Sequence, residues 1–346
     1  MNINFQPRLY QETILESCDK DNTLVVLPTG MGKTKIAILA AVNRLKKYPE
    51  SKIVNLDLLT YAGNLNNLKN IPKNANYHFV QGNINDQALV SKILKEHKID
   101  LIVHFAAESH VDRSIQDSAI FLQTNILGTN TLLQAALDCD RIRFHHISTD
   151  EVFGSLSDQG LFDENTPYDP RSPYSASKAG SDHLVRAYHH THGLPVTISN
   201  CSNNYGPYQF PEKFLPLFIT NLLEDKSVPI YGEGKNIRDW IHVLDHCRAI
   251  DKIIQTGKIG ETYCVGGNNE KTNIDIAYLL LDKLGKSREA IEYVDDRLGH
   301  DYRYAINNHK ITTELGWQPE ISFEQGLDQT IEWYKNNQDW WRKLKK

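Results

Sequence analysis

Thr23-Leu-Val-Val-Leu-Pro-Thr-Gly-Met-Gly-Lys-Thr34, continued by an amphipathic run from Lys33 to Leu45 and then by Lys52-Ile-Val-Asn-Leu-Asp57, decides how this chain folds. An apolar run, a glycine-bearing turn, a helical pattern and a second apolar run ending in an acid make a βαβ unit. Two sheet orders can hold it. In a dinucleotide-binding sheet the second strand lies beside the first, and an acid about 20 residues past the glycines meets a ribose. Asp57, 25 residues beyond Gly32, suits that place. In the alternative, a Gly-Lys-Thr loop curls around a terminal phosphate on its backbone N–H groups. There the next strand in sequence is not the neighbour of the first. Gly30 and Gly32 serve either turn, but Lys33-Thr34 stands where a dinucleotide turn wants its third glycine.

Further along, Tyr77–Gln81, Leu101 to Phe105 and Arg143 to Ser148 read as strands separated by helices such as Asn125 to Asp138. That alternation indicates a parallel sheet, with ligands expected at the strand ends where the polar motifs lie. After Asn200, loops rich in Pro, Gly and Asn interrupt shorter elements. The expected fold is α/β, a Rossmann-like doubly wound parallel sheet with a smaller C-terminal substrate domain. Residues 54–205 plus about 240–268 form the sheet domain, and 206–239 with 269–346 the smaller one. Residues 1–53 supply the first βαβ segment.

The 346 residues suffice for a large core, and 23% charged with 40% hydrophobic side chains is ordinary for a globular enzyme. A net charge of -5 argues against a nucleic-acid surface. The five cysteines form no CxxC pair, so neither a zinc site nor a disulfide framework is expected. With no leader and no long apolar run, a cytoplasmic rather than membrane location is expected. His145 and His146 alternate on a strand and face opposite ways, so no metal site is expected.

Ser148-Thr-Asp-Glu151 and Tyr174-Ser-Ala-Ser-Lys178 carry the chemistry. Tyr174 and Lys178 share one helix face, where an ammonium can favour a phenolate and make the tyrosine a base. Adjacent carboxyls at a strand end can split their proton affinities, one acting as acid and the other as base. Arg238 is a candidate for bidentate diphosphate binding.

Around these residues, Ala106-Ala-Glu-Ser-His-Val-Asp-Arg-Ser114, His145 to Gly154, Tyr174 to Lys178, Asn200-Cys-Ser-Asn-Asn-Tyr-Gly-Pro207, Pro229-Ile-Tyr-Gly232, Arg238-Asp-Trp240 and Gly299-His-Asp301 form an ordered series. From about Asp57 to the C-terminus the chain resembles the dTDP-glucose 4,6-dehydratases, extended short-chain dehydrogenase/reductases acting on nucleotide sugars. The resemblance implies that Tyr174, tuned by Lys178, takes a proton from the sugar C4 hydroxyl while hydride leaves for NAD. Thr149 would bond the C4 oxygen, Glu151 would take the C5 proton, and Asp150 would protonate the departing C6 hydroxyl. It implies an NAD site made by Gly30, Gly32, Lys33, Asp57, Leu58, Thr60, Asn83, Ile84, Ala106, Ala107, Ser109, Thr124 and Asn203, with Tyr174 and Lys178. For a nucleoside-diphosphate sugar, foremost dTDP-glucose, it implies Ser109, Asn204, Lys213, Pro229, Ile230, Tyr231, Arg238, Asn273, Arg297 and His300. A homodimer is implied too, touching near Asn125 to Asp138 and Ser175 to His189. The family pattern Arg-Pro-Gly-His-Asp has Leu298 here in place of its proline.

Residues 1–53 resemble something else, the Walker A start of a DEAD/DEAH-type helicase. No Ser-Ala-Thr and no Gln-x-x-Gly-Arg-x-x-Arg motif follows, so a helicase fragment is the weakest reading. Two remain open on sequence alone. One is an NAD-dependent dehydratase whose first βαβ unit is foreign but forced into Rossmann order. The other is a sugar-nucleotide-binding pseudoenzyme that has lost NAD.

Overall fold

A computed structural model describes residues 22–26, 51–68 and 76–345. Seven parallel strands form the main sheet: β1 (Thr23–Val26), β2 (Ile53–Asp57), β3 (Tyr77–Gln81), β4 (Leu101–His104), β5 (Arg143–Thr149), β6 (Val196–Cys201) and, after three strands outside this sheet, β10 (Thr262–Val265). Their order is β10-β6-β5-β4-β1-β2-β3. β1 pairs on one side with β2, Val25 opposite Asn55, and on the other with β4, Val25 opposite Val103. The two chain-adjacent strands are therefore sheet neighbours, as a Rossmann sheet requires and a P-loop order does not.

Parity along each strand sends side chains to opposite faces. Leu24, Val26, Val54 and Leu56 join one core with Val90, Leu132 and Val185 from the helices Gln87–Glu96, Gly128–Asp138 and Pro173–His192. Val25, Ile53 and Val103 join another with Val243, Ile250 and Ile254 of the helix Val243–Thr256. β1 is buried throughout, which is why Thr23-Leu-Val-Val26 reads as an unbroken apolar run. Each of its fully buried side chains contributes about 1.5–3 kcal/mol.

The helix expected from Asn125 is preceded by helical residues from Ala119 and widened into a π turn over Leu122–Leu127. The cause lies in Asn125, whose amide accepts from Glu108 N (2.8 Å) and donates to Glu108 O (2.9 Å) and Ser177 Oγ (2.8 Å). Holding the loop after β4 with one side chain sets that turn's register, a use typical of π bulges.

β7 (Asn203–Tyr205), β9 (Ile237–His242) and β11 (Glu270–Thr272) make a three-stranded sheet, and β8 (Val228–Tyr231) pairs with β12 (Ile291–Val294). With the helices Phe214–Leu223, Asn273–Leu284 and Phe323–Asn336 they enclose a core of Phe218, Ile230, Trp240, Leu280, Leu327 and Trp341. This part closes over the C-terminal ends of the main strands. No described helix is long and apolar enough to cross a membrane.

Candidate active site

β5 stops at Thr149 and turns at once into a single 3-10 turn, Asp150–Phe153, with the Thr149 hydroxyl accepting from Glu151 N at 3.3 Å. The turn ends at Gly154, where φ is +86° and a Cβ would lie 2.5 Å from Asp169 O, so only glycine fits. Across from it the helix Pro173–His192 begins with Ser172 and Ser175 capping each other and proline in the first turn. That start places Tyr174 at the helix mouth, 3% exposed, with Lys178 one turn deeper at 1%.

The strand end and the helix mouth face one cleft of about 290 Å³. Thr149, Asp150, Glu151 and Tyr174 line it with Ser109, Asn204, Lys213, Pro229, Tyr231, Arg238, Asn273, Arg297 and His300. With Asn203, which also lines it, fourteen of the expected positions share one cavity. Ile230 does not: the alternation of β8 turns its side chain into the core at 1% exposure, so only its backbone can face a ligand.

The two carboxyls differ in their surroundings more than in their adjacency. Burial pushes Asp150 well above the usual carboxylate range, and the charges of Glu151 and Asp239 push the same way. Its Oδ2 is buried with no hydrogen-bond partner among the described residues. Burial also raises Glu151, but Arg238, Lys213 and Arg297 pull it back down. A proton shared between them therefore resides on Asp150, leaving Glu151 the better base.

Tyr174 departs from the expectation. Burial pushes its hydroxyl well up, the Glu151 charge adds to that, and a hydrogen bond with Thr149 opposes it. Lys178 donates to Ile147 O at 2.8 Å and lies 3.3 Å from His146 Nε2. Desolvation outweighs the helix-face pairing, so a further positive charge at the cleft is needed before this tyrosine serves as a base at neutral pH.

Arg238 is not an exposed ion pair. It donates to the carbonyls of Ile237 (2.7 Å), Tyr302 (3.3 Å) and Asp301 (2.9 Å), and stacks 4.1 Å over Tyr304. Arg297 grips Asp112 at 2.6 Å, and His300 Nδ1 donates to Asp296 Oδ1 at 2.7 Å.

On the other side of Tyr174 lie the positions expected to hold a dinucleotide. Asp57 ends β2 next to β1, 2% exposed, accepting from Leu59 N at 2.8 Å. Burial lifts it to about 6, so it is still an acceptor at neutral pH. Leu58 is exposed and Ile84, Ala106 and Ala107 are buried. Asn83 closes its own turn onto Asn85 N, and Thr124 sits half-buried on the π turn. Thr60 Oγ1, Ser109 Oγ and Asn203 Oδ1 are buried without hydrogen-bond partners among the described residues. An orphaned hydroxyl on Thr60, three residues past the buried Asp57 carboxylate, and orphaned polar atoms of Ser109 and Asn203 on the cleft wall fit a hydroxyl-rich ligand at the point where strand order reverses. Gly30, Gly32 and Lys33, like the expected helix Lys33 to Leu45, lie outside the described residues. Among described residues no His, Cys, Asp and Glu side chains cluster as metal ligands.

Sequence reasoning gave no site role to Tyr168 and Asp182, weighed His146 only as a metal ligand and quoted Asn200 only within a motif; the four form a buried polar group behind Lys178. The signal was present: Asp182 follows Lys178 at the same four-residue spacing by which Lys178 follows Tyr174.

The chain matches the family model GDP-mannose 4,6 dehydratase over residues 39–330. A dTDP-glucose 4,6-dehydratase of Xanthomonas campestris is 54% identical over 307 residues, covering 84% of this chain and 88% of that protein. The dTDP-glucose 4,6-dehydratase 1 of Escherichia coli K12 is 49% identical over 326 residues, covering 87% and 90%. Among solved structures, the dTDP-glucose 4,6-dehydratase of Bacillus anthracis in complex with NAD superposes with a TM-score of 0.86 at 47% identity, covering 94% of this chain and all of that one.

Proposed function

The chain belongs to the dTDP-glucose 4,6-dehydratase family, and we propose that it converts dTDP-glucose to the 4-keto-6-deoxy sugar with NAD as resident cofactor. The observation that carries this is the unequal charge environment of Asp150 and Glu151 in the cleft that Tyr174 also lines. Loss of water across C5 and C6 needs one carboxyl that gives a proton and another that takes one. Asp57, Thr60, Ser109 and Asn203 offer the acceptors and orphaned polar atoms that would hold the cofactor. Bound there, it supplies the two-electron acceptor that carries hydride from C4 to C6.

The protein's own groups do the rest. Thr149 and Tyr174 bind the C4 hydroxyl, and Tyr174 accepts its proton. The C4 ketone so formed acidifies C5, whose proton goes to Glu151. Asp150 protonates the C6 hydroxyl, which leaves as water. Lys213, Arg238 and Arg297 add positive charge for the diphosphate and oppose the upward push of burial on Glu151.

Two copies of the chain pairing through exposed Ile120, Leu122 and Leu127 (43, 47 and 58% exposed) also fit the reading, and sedimentation at micromolar concentration tests it.

The test of function is to denature the purified protein, identify the nucleotide released, and incubate the native protein with dTDP-glucose. NAD and the 4-keto-6-deoxy product are expected. A protein that binds dTDP-glucose but neither carries nor takes up NAD is the sugar-nucleotide-binding pseudoenzyme instead.

A further inference from the structure

Four residues at four-residue spacing run down one face of the helix Pro173–His192: Tyr174, Lys178, Asp182 and Arg186. The chemistry above uses only the first two. Lys178 and Asp182 are 1% and 0% exposed, and a buried ammonium without an anion sheds its proton. Lys178 Nζ lies 3.3 Å from His146 Nε2, which lies 3.2 Å from Asp182 Oδ1 and 3.1 Å from Ser181 Oγ. The other carboxylate oxygen of Asp182 accepts from Ser148 Oγ (2.7 Å), Tyr168 OH (2.8 Å) and Asn200 Nδ2 (3.3 Å).

We propose that Asp182, on the far side of the His146 ring nitrogen, is the counter-ion that keeps Lys178 charged beneath Tyr174, and is thereby a positioning residue for the tyrosine base. The inference rests on the role given to Tyr174 above. Burial alone would raise Asp182, yet hydrogen bonding and charge from His146, the Lys178 charge and the Ser148 bond bring it below the usual carboxylate range. An anion at zero exposure that remains an anion is what a buried lysine needs.

The other charged and titratable groups around the set are few. From β4, the His104 ring stands 5.1 Å from that of His146 and bonds Thr129 at 2.9 Å. From the loop before the helix, Tyr168 donates to Asp182, and Arg186 donates to the Tyr168 hydroxyl at 2.8 Å and to Thr262. Asp150, Glu151 and Cys201 face Tyr174 from the cleft side and raise it. Among the described residues Asp182 is thus the anion nearest the lysine on the buried side.

The experiment reads Tyr174 ionisation directly, as phenolate absorption in the difference between each protein and its Tyr174→Phe partner. Asp182→Asn removes a negative charge, which by itself lowers the tyrosine. If the lysine discharges as a consequence, the nearer positive charge is lost and the tyrosine rises. An upward displacement of about one pH unit or more is expected, and the ascending limb of turnover, where there is turnover, moves with it. An unmoved or lowered phenolate titration overturns the proposal.

Because Asp182→Asn can cost the fold, Lys178→Met and the double variant complete the set. Lys178→Met leaves an unpaired buried carboxylate, so adding Asp182→Asn is expected to raise its Tm. Additive losses, or a double variant that does not fold, would show that Asp182 serves only its Ser148, Tyr168 and Asn200 contacts. Neither readout requires dTDP-glucose to be the substrate.

Discussion

The sugar end and the cofactor end of this cleft are built on the same sheet yet are specified differently. At the sugar end, each chemical group is set by a local device: Thr149 to Glu151 by a 3-10 turn closed at Gly154, Tyr174 by the Ser172 cap. At the cofactor end the glycine-bearing stretch after β1 lies outside the described residues, and what the structure shows there is pairing. β1 still lies between β2 and β4, and Asp57 still ends β2 beside them. A chemical step demands particular atoms at a strand end, whereas a strand's neighbours are decided by which faces it buries.

The sharpest way to break that comparison is at the sugar end. Tyr174→Phe and Glu151→Gln each remove one proton acceptor and are expected to lower turnover by roughly 10²–10⁴-fold. The KM for dTDP-glucose should change little. Steady-state product formation checks this, and a loss confined to KM would move both residues from chemistry to binding.

At the cofactor end, Asp57→Asn exchanges a charged acceptor for a neutral one, a loss of about 1.5–3 kcal/mol, roughly 10–150-fold in NAD affinity by calorimetry. Since Asp57 is lifted to about 6, NAD affinity should also fall as pH drops through that value. Stability runs the opposite way. With the folded value above the unfolded one, the native state holds the extra proton between about pH 4 and 6, and this group's stabilising contribution is lost as pH rises through 6. Binding and melting curves of opposite slope in that window would tie both to one carboxyl, and both slopes should vanish in Asp57→Asn.

How legible each end was follows from the same contrast. Leu24 to Leu27 and Lys52 to Asp57 were readable as strands because a central parallel strand is apolar on both faces. Their adjacency was inferable from the rest of the sheet, though the Gly-Met-Gly-Lys-Thr turn pointed the other way. The candidate catalytic residues were legible because their side chains recur in an ordered series of motifs. Burial was not legible, and it changes the account of Tyr174, where desolvation outweighs the lysine one turn away. Nor was the internal use of Arg238, whose donors go to the carbonyl of its neighbour Ile237 and to those of Asp301 and Tyr302, which only folding brings near. The π turn at Asn125 escaped for the same reason, since its cause is Glu108 on another segment.

Arg238 offers a finer test of the sugar end. Its charge is the foremost electrostatic influence holding Glu151 down. Arg238→Gln should raise that carboxyl, so the ascending limb of the turnover profile moves to higher pH by roughly one unit. Arg238→Lys keeps the charge while losing the planar set of donors, so the limb should stay in place and KM should rise. A limb that moves equally in both variants would mean that geometry rather than charge sets Glu151.

The smallest effect compares the departures from the family pattern at the two ends. The sugar end has one, Leu298 in place of proline, 79% exposed on the turn before Gly299 at φ +64°. A glycine with positive φ in that place is what a type II turn asks for, and proline suits the position before it. Leu298→Pro should therefore stabilise the protein by about 0.4–1 kcal/mol through the unfolded chain, a Tm rise of roughly a degree or two. Because Arg297 and His300 flank the turn and are already fixed by Asp112 and Asp296, the KM for dTDP-glucose should fall by no more than about twofold. A large fall in KM would mean that these two side chains are not held in place before substrate binds. The sugar end would then depend on a turn in which leucine stands where the family pattern has proline.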